Sequence, residues 1–370
     1  MTMNRRELLL TATVAGLGSL ALSASFKLRA ASPRSVLVLG GTGFIGPHLV
    51  RRLLERGHVV TLFNRGQTNT DLFPETSKLV GDRDGGLEAL ETGEWDVVID
   101  NSGYVPRHVR DSAELLKGRV GRYLFTSTVA VYDFEDDVPP YVAPNAGNAG
   151  SPLRPVPDPA SEDVSQYYGA LKVLCEQYVN EIYGDAATIV RPTYVVGPGD
   201  TTQRYTWWVE RIHRGGDIIV PGNADDSFGL IDVRDLADFV VQLVEDNRPG
   251  TYNASGPAGI LSYAGMLESI RATTSNSVQF VRVDVDFLEQ QDVNGRELPM
   301  WSAERGTRGV LFDNIPSIEA GLQFRTLADT AAATFDWYQS LPEAEKAFTR
   351  AGLNPEKEAR ILAAWSSAQD

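Results

Sequence analysis

The chain has 370 residues, of which 42% are hydrophobic and 22% are charged. These proportions are those of an ordinary globular protein and exclude a fibrous or largely disordered chain; the length suits one composite globule. The formal net charge of −15 argues against a nucleic acid partner, because nucleic acids are bound through clustered lysine and arginine residues. A small molecule is therefore the expected ligand. Cys175 is the only cysteine, so no internal disulfide stabilises the fold.

The first 31 residues have the layout of an export signal. Arg5 and Arg6 are followed by Glu7 and then by a stretch without charge, residues 8–24, an arrangement that resembles the twin-arginine signal peptide of bacteria. The stretch is too short and too rich in small residues for a membrane span. We therefore predict that a signal peptide, residues 1–31, is removed near Ser25 or Ala31, and that the mature protein is periplasmic or otherwise exported without stable membrane insertion. An amphipathic or disordered N-terminal arm is the alternative, and it would leave the protein cytoplasmic.

From Ser35 onward, apolar runs alternate with amphipathic segments, which is the pattern of a parallel sheet covered on both faces. The predicted strands are residues 35–39, 58–63, 78–80, 95–99, 122–125 and 187–190. The predicted helices between them are residues 46–55, 107–117 and 165–183. An α/β fold with a doubly wound parallel sheet over residues 35–196 follows.

Two later regions depart from this alternation. Residues 133–163 are rich in Pro, Asp, Gly and Asn and fit no regular element, so they are either a lid over a site or a disordered insert. We expect residues 197–370 to form mainly a smaller C-terminal lobe, with the segment around residues 229–254 returning to the sheet. The helices predicted in this part are residues 204–214, 233–245 and 262–273, and a final pair from residue 327 onward.

A glycine-rich turn joins the first predicted strand to the first predicted helix, with Gly40, Gly43 and Gly46 at its corners and Phe44 and Ile45 between the last two. The first glycine permits the tight turn, the second lets a pyrophosphate approach the backbone, and the third lets the helix pack closely on the strand. The helix N-terminus attracts negative charge. These five residues are the predicted core of a dinucleotide site.

A second motif lies on the predicted helix 165–183, where Tyr168 and Lys172 are four residues apart and therefore project from one face. The preceding strand ends in a segment that carries the hydroxyl of Thr128. A phenol is a weak acid at neutral pH, so proton exchange by Tyr168 requires a neighbouring cation that lowers its pKa. Lys172 supplies that cation. Tyr168 and Lys172 are therefore a candidate catalytic pair.

The glycine turn, the Tyr168 and Lys172 pair and the strand end at Thr128 together resemble the extended short-chain dehydrogenases/reductases, most closely their NAD-dependent epimerase/dehydratase branch. The resemblance spans residues 35–253. It implies a Rossmann fold with a smaller C-terminal substrate-binding lobe and NADP or NAD as cofactor. It also implies that Tyr168, Lys172 and Thr128 are the catalytic residues. Lys172 binds the nicotinamide ribose, Thr128 bonds the substrate oxygen and Tyr168 exchanges the hydroxyl proton.

The resemblance implies further cofactor contacts. Where members that use NAD carry an acidic residue for the ribose, this chain has Asn64 and Arg65. Arg65 suits a 2′-phosphate, so NADP is slightly favoured over NAD; a solvated turn arginine is the alternative. Asp82 stands where the family uses an aspartate beside the adenine. The other implied cofactor contacts follow later strands or this aspartate, and they are Arg83, Asn101, Ser102, Gly103 and Pro192.

The implied substrate lies against the C-terminal lobe. Nucleotide-sugar epimerases of this family carry an arginine for the diphosphate where this chain has Phe228, so a carbohydrate without a nucleotide is favoured. Sugar rings stack on aromatic side chains, but aromatic clusters are as often part of a core. No metal is predicted, because the four histidines lack ligand spacing. The predicted substrate-binding residues are Thr128, Tyr104, Tyr194, Arg204, Trp207 and Trp208.

These features predict an NAD(P)-dependent oxidoreductase or epimerase that acts on a hydroxyl or carbonyl group of a small carbohydrate-like substrate. Redox-neutral epimerisation with a tightly bound cofactor is favoured, because an exported enzyme meets little free NAD(P). A net NADP-dependent dehydrogenase or reductase is the alternative among enzymes, and a non-catalytic nucleotide-binding protein is the alternative of another class. The sequence leaves a monomer and a homodimer open.

Overall fold

The computed structural model describes residues 32–135, 140–145, 147–303 and 311–369. The predicted signal peptide at residues 1–31 lies outside the described residues. Ser32–Asp370 is one compact unit. In the part of the chain that is described, no helix combines the length and the apolar character needed to cross a membrane.

The strands and helices alternate along the first half of the chain and become less regular after it. The strands are β1 (Ser35–Leu39), β2 (Val59–Asn64), β3 (Ser77–Val80), β4 (Trp95–Asp100), β5 (Val120–Thr126), β6 (Ala187–Pro192), β7 (Tyr194–Val196), β8 (Gly216–Pro221), β9 (Ser227–Asp232), β10 (Gly250–Ala254), β11 (Gly256–Ser262) and β12 (Val278–Val283). The helices are α1 (Ile45–Glu55), α2 (Pro106–Leu116), α3 (Val164–Tyr183), α4 (Arg204–Arg214), α5 (Val233–Glu245), α6 (Tyr263–Arg271), α7 (Val285–Gln290), α8 (Ile315–Glu319), α9 (Leu327–Ser340) and α10 (Pro355–Gln369).

Among the described residues, seven strands form one sheet in the order β10-β6-β5-β4-β1-β2-β3, and every pair in it is parallel. The order reverses between β1 and β4, because β2 and β3 extend one side and β5, β6 and β10 extend the other. Ligands of such sheets bind beyond the carboxyl ends of the strands at this reversal. The predicted doubly wound α/β class is confirmed.

The alternation of β1 explains how both faces of the sheet are covered. Val36 and Val38 pack with buried residues of α1 and α5 on one face, whereas Leu37 and Leu39 pack with α2 and α3 on the other. All four side chains are 0% exposed, as expected of a central parallel strand that is apolar throughout. The carboxyl end of β1 is thereby fixed between two helical layers.

A separate apolar cluster supports the C-terminal part of the molecule. It is built from α4, α6, β8 and their neighbours, with Trp208, Ile218 and Met266 fully buried. Within the described residues, β7, β9 and β11 form a three-stranded sheet and β8 pairs with β12. The predicted boundary between the two lobes at residues 196 and 197 stays a prediction.

The proline-rich segment, residues 133–163, contains no helix or strand in its described part. Its residues are nevertheless placed by long-range contacts. Tyr132 forms a bridge with Leu153, and the carbonyl of Tyr141 accepts a hydrogen bond from Asn253 Nδ2 at 3.1 Å. Tyr141 is buried. The described part of the segment is therefore packed on the body of the protein, and Phe134 at its start lines a cavity.

Candidate active site

Two hollows adjoin at the carboxyl ends of the central strands. The first, here called the glycine-turn groove, has a volume of about 500 Å³ and runs past Gly40, Gly43, Asn64 and Asp82. The second, the tyrosine cavity, has a volume of about 780 Å³ and is bordered by Thr128, Tyr168 and Lys172. The two share residues, so an elongated ligand in the groove reaches the cavity. The shared residues are Phe44, Ile45, Asn101, Tyr104 and Thr202.

The glycine turn leaves room for a ligand where the sequence motif requires it. Gly40 has φ +87°, and a Cβ there would lie 2.6 Å from Ser102 Cβ, so only glycine fits. A Cβ on Gly43 would meet nothing within 4 Å, which leaves the backbone open to an approaching group. Gly46 lies behind the turn, where a Cβ would be 2.5 Å from the carbonyl oxygen of Gly40. Its contribution is close packing of α1.

The N-terminus of α1 is free to receive an anion. Phe44 occupies the N-cap position without a side-chain cap hydrogen bond, and the first turn holds no acidic residue. The backbone N–H groups at a helix N-terminus are otherwise unsatisfied and carry partial positive charge. This end of α1 therefore suits a phosphate group.

The outer end of the groove contains the residues predicted to select the cofactor. Asn64 Oδ1 accepts a hydrogen bond from Gly66 N at 2.9 Å, which fixes the turn that presents Arg65. Arg65 and Asp82 both line the groove. Arg65 forms no ion pair among the described residues, so its guanidinium is free to meet a ligand.

Two of the predicted cofactor residues also have a role in the fold. Arg83 borders the groove, but its Nη1 and Nη2 atoms donate to the two carboxylate oxygens of Asp100 at 2.6 and 2.8 Å, and Nη2 also donates to Ser112. Gly103 lies behind the wall, where a Cβ would be 2.6 Å from Phe125 and from Val109. A direct cofactor contact of Arg83 stays a prediction, since this residue lines the groove. Gly103 lines neither hollow, so its prediction as a cofactor contact is not supported.

Tyr168 and Thr128 meet in the tyrosine cavity. Tyr168 lies in the first turns of α3, and its side chain remains 36% exposed. Burial raises the pKa of the Tyr168 phenol, and a hydrogen bond with Thr128 and the charge of Arg204 oppose that shift. The ring of Tyr104 is 6.4 Å from the ring of Tyr168, centroid to centroid. Both tyrosines line the cavity.

Lys172 lies deeper on the same face of α3. Its Nζ donates to the carbonyl oxygens of Gly103 at 2.7 Å and Thr126 at 2.8 Å. An ammonium has three donors, so one remains for a ligand. Burial lowers the pKa of Lys172 from 10.5 to about 8. Near neutral pH the side chain is therefore charged although it is buried.

A buried network behind Thr128 was missed in the sequence. Ser127 Oγ donates to Glu176 Oε1 at 2.5 Å, and Arg191 Nη2 donates to Glu176 Oε2 at 2.6 Å. Glu176 is four residues beyond Lys172, so it shares the face that carries Tyr168. That spacing was the available signal. The network ties α3 to the ends of β5 and β6 and so fixes the position of the predicted catalytic residues.

Close packing at Gly169 brings α3 to Thr128. A Cβ on Gly169 would lie 2.2 Å from the carbonyl oxygen of Ala130. Ala130 belongs to the short 3-10 turn that follows Thr128, and Thr128 Oγ1 accepts a hydrogen bond from Ala130 N at 3.1 Å. The absence of a side chain beside Tyr168 is therefore what allows the two segments to meet.

The predicted substrate-binding residues separate into two groups. Tyr104, Tyr194 and Arg204 line the tyrosine cavity, as do Thr128 and Pro192. Trp207 and Trp208 do not: they are 3% and 0% exposed, within the core of the C-terminal lobe. Trp208 Nε1 donates to the carbonyl of Pro299, and Trp207 packs on Gly352. Their prediction as substrate contacts is wrong, because the apolar face of α4 turns to the core.

Phe228 lies in the wall of the cavity, with its ring 6.3 Å from that of Tyr194. Arg296 and Arg350 border the same cavity, and no sequence pattern predicted this, because both are distant from the motifs in the chain. Within the described residues, no cluster of three or more His, Cys, Asp or Glu side chains is arranged to hold a metal ion. The site is thus built from a phenol, hydroxyls, an ammonium and guanidinium groups.

The chain is similar to several known proteins. The chloroplast stem-loop binding protein of 41 kDa b from Arabidopsis thaliana is 28% identical over 245 residues, 61% of this chain and 60% of that protein, so the chain spans less than two thirds of that relative. The WbmH enzyme of Bordetella bronchiseptica, solved with NAD+, has a TM-score of 0.62 at 18% identity and covers 83% of this chain and 99% of its own. A UDP-glucose 4-epimerase structure has a TM-score of 0.63 at 16% identity, covering 84% and 98%.

These structures share the fold, and the family is shown by the sequence match. The model of the NAD dependent epimerase/dehydratase family matches residues 36–117 and 99–255, a region that includes the glycine turn, Thr128, Tyr168 and Lys172. The match covers more than half of the chain. The chain therefore belongs to the NAD-dependent epimerase/dehydratase family.

Proposed function

We propose that this protein is an NAD(P)-dependent oxidoreductase or epimerase that acts on a hydroxyl or carbonyl group of a small carbohydrate-like compound. The observation that carries the proposal is the meeting of Tyr168, Thr128 and Lys172 in one cavity that continues into the glycine-turn groove. Family membership supports the same chemistry. The names of relatives extend it to sugars, since they include a UDP-N-acetyl-alpha-D-glucosaminuronate decarboxylase from Bacillus cytotoxicus.

The groove fits a dinucleotide. Gly43 and the free N-terminus of α1 suit the pyrophosphate, and Asp82 lies where the adenosine end would be held. Asn101 Oδ1 is buried without a hydrogen-bond partner among the described residues, where the groove and the cavity join. The third N–H of Lys172 is available to the nicotinamide ribose. When bound, NAD(P) supplies the oxidant or reductant.

The residues of the chain supply the proton chemistry. Thr128 and Tyr168 present hydroxyls to the substrate oxygen. Tyr168 Oη takes the proton of a substrate hydroxyl during oxidation and returns it during reduction. The hydrogen bond with Thr128 and the charge of Arg204 favour the phenolate that this exchange requires, and they oppose the burial that raises the pKa of Tyr168. Burial of the cavity floor excludes water and strengthens these electrostatic effects.

The prediction that the protein is exported favours a redox-neutral reaction. Arg5 and Arg6 with their apolar stretch support a twin-arginine signal, and this route carries folded proteins with cofactors already bound. An exported enzyme that keeps one dinucleotide must return what it removes from a substrate to the same molecule or to a second one. We therefore favour epimerisation in the periplasm over net dehydrogenation.

A second candidate is nucleic acid binding without catalysis. The observation that favours it is the printed name of the relative from Arabidopsis thaliana, a stem-loop binding protein. The net charge of −15 opposes this function, because phosphate backbones are bound by positive surfaces. Titration of a labelled RNA stem-loop with the protein separates the candidates: saturable binding at physiological salt would favour the second one.

The Tyr168→Phe variant tests the proposed function. We expect turnover to be abolished while dinucleotide affinity stays nearly intact, because the substitution removes the proton-exchanging oxygen and little else. Hydride exchange with added sugars and dinucleotide titration measure the two properties. Tyr167→Phe is the matched control, since it removes a neighbouring phenol from the same helix. Equal activity in Tyr168→Phe and the parent protein would refute the assignment.

A further inference from the structure

Three arginines border the tyrosine cavity: Arg204, Arg296 and Arg350. The described lining contains no aspartate or glutamate, although the chain carries 49 acidic residues. None of the three guanidinium groups forms an ion pair with another described residue. The protein has a net charge of −15, yet the charged side chains that line the cavity containing Tyr168 are all positive in its described part.

A hydrogen-bonded network holds two of these arginines near each other. Arg296 Nε donates to the carbonyl of Arg350 at 3.0 Å, and Arg296 Nη2 donates to that of Thr349 at 3.4 Å. Both carbonyls belong to the segment between α9 and α10. Nη1 of Arg296 has no hydrogen-bond partner in the described part of the chain. The network therefore fixes one edge of this guanidinium and leaves the other free.

Gln203 connects the same segment to Arg204. Its backbone has φ +64°, a left-handed conformation that is costly for a residue other than glycine. Its side-chain Oε1 accepts hydrogen bonds from Thr349 N and Arg350 N, both at 2.9 Å. Its Nε2 donates to the carbonyl of Ala347 at 2.9 Å. One strained residue at the start of α4 therefore anchors the segment that carries Arg350 beside Arg204.

Arg204 lines the same cavity as Tyr168, close enough for its charge to act on the Tyr168 phenol. Its guanidinium carbon lies 4.9 Å from the ring centroid of Tyr194, and its Nε donates to Thr202 Oγ1 at 3.0 Å. These contacts fix the plane of the guanidinium, while Nη1 and Nη2 have no hydrogen-bond partner among the described residues. Two parallel donors on a fixed plane match a carboxylate or phosphate oxygen pair.

We propose that the tyrosine cavity selects a hydroxylated substrate that carries an anionic group, a carboxylate or a phosphate ester. Arg204 binds that group at the end of the cavity nearest Tyr168, and Arg296 and Arg350 attract it at the opening. Phe228 and Tyr194 cover the apolar face of the substrate. The proposal rests on the proposed function and deepens it, since it names the substrate class as a sugar acid or sugar phosphate. The charge is read from α4 and the C-terminal segment, where Phe228 offers none.

Binding measurements with charged and neutral sugars test this inference. Calorimetric titrations of the dinucleotide-saturated protein use D-glucuronate, D-glucose 6-phosphate and D-glucose as probes. We expect at least one charged probe to bind about tenfold or more tightly than D-glucose, the effect of one charge-assisted contact. Preference for D-glucuronate identifies a carboxylate, and preference for the phosphate identifies a phosphate ester. Equal affinities, or failure of both charged probes to bind, would overturn the proposal.

Matched arginine variants locate the effect. Arg204→Gln should remove most of the preference, and Arg204→Lys should restore part of it if the fold is intact. Arg360→Gln removes an exposed arginine of α10 and should leave the preference unchanged. Preference that survives in the Arg204→Gln, Arg296→Gln double variant overturns the inference. Tyr168→Phe should lose turnover and keep the preference, so failure of the proposed function and failure of this inference are read from different measurements.

Discussion

At the scale of single residues, Arg65 is the residue predicted to distinguish the two dinucleotides. It stands after β2, lines the groove and has no described ion-pair partner, in the place where an acidic side chain would select NAD. We expect Arg65→Ala to weaken NADP binding by about 1–3 kcal/mol, the size of a charge-assisted hydrogen bond, and to change NAD binding little. Titration of both dinucleotides measures the difference.

Arg360→Ala provides the matched control for Arg65, because it removes the same charge far from the groove. It should change neither affinity. Equal losses for NADP and NAD in Arg65→Ala would show that the guanidinium does not contact the 2′-phosphate.

The sequence predicted single residues well where spacing reports direction. Helical periodicity places Tyr168 and Lys172 on one face. A glycine-rich turn between a strand and a helix is typical of a dinucleotide site. Trp207 and Trp208 show the limit. Periodicity indicates that one face of α4 is apolar, but it does not say whether that face meets a cavity or a core. Arg350 was not predictable for another reason. It lies in a loop that hydrogen bonds with Gln203 hold at the site, and these bonds join residues far apart in sequence.

At the scale of elements, the contact between α3 and the turn after Thr128 depends on Gly169. Alanine normally stabilises a helix by about 0.5–1 kcal/mol relative to glycine. Here the added Cβ would lie 2.2 Å from the Ala130 carbonyl oxygen, so α3 and the turn must separate. We expect Gly169→Ala to lower the free energy of unfolding by about 1–3 kcal/mol and to reduce turnover. Denaturant unfolding and activity assays measure both effects.

Gly259→Ala serves as the control for Gly169, because a Cβ at Gly259 meets nothing within 4 Å. It should leave turnover unchanged. A Gly169→Ala protein as stable and active as its parent would show that the close approach has no role in placing Tyr168.

Elements with a clear period were predicted nearly to the residue, and segments without one were not. The helices α4 (Arg204–Arg214) and α5 (Val233–Glu245) match their predicted bounds because amphipathic periodicity is a local signal. The course of residues 133–163 was not predictable, since it is set by contacts such as Asn253 with Tyr141. These join residues far apart in sequence, and composition alone does not encode them.

At the scale of the whole molecule, the predicted export and the proposed catalysis together predict that the protein retains its cofactor. We expect protein recovered from the periplasm to contain near-stoichiometric dinucleotide after extensive dialysis, because replacement outside the cytoplasm is scarce. It should then act on a free or glycosidic sugar with no NAD(P) added. Mass analysis of the denatured protein measures the dinucleotide, and sugar stereochemistry is followed with and without added cofactor.

The Tyr168→Phe variant is the control for this experiment, since it should retain dinucleotide without converting sugar. Protein that emerges empty, requires added NAD(P) and accumulates its reduced form in proportion to product would establish an ordinary exchanging dehydrogenase. That result would exclude the redox-neutral reaction.

Burial of the Lys172 ammonium lowers the stability of the folded protein. A pKa lowered from 10.5 to about 8 means that the folded state disfavours the charged form by about 3 kcal/mol, a large share of the net stability of a typical domain. The unfolded chain binds more protons between those two pKa values, so the fold gains stability as the pH rises from 8 toward 10.5. Near neutral pH this loss of stability is fully present. The ammonium on which the proposed chemistry depends is therefore also a source of instability at the pH where the enzyme would work.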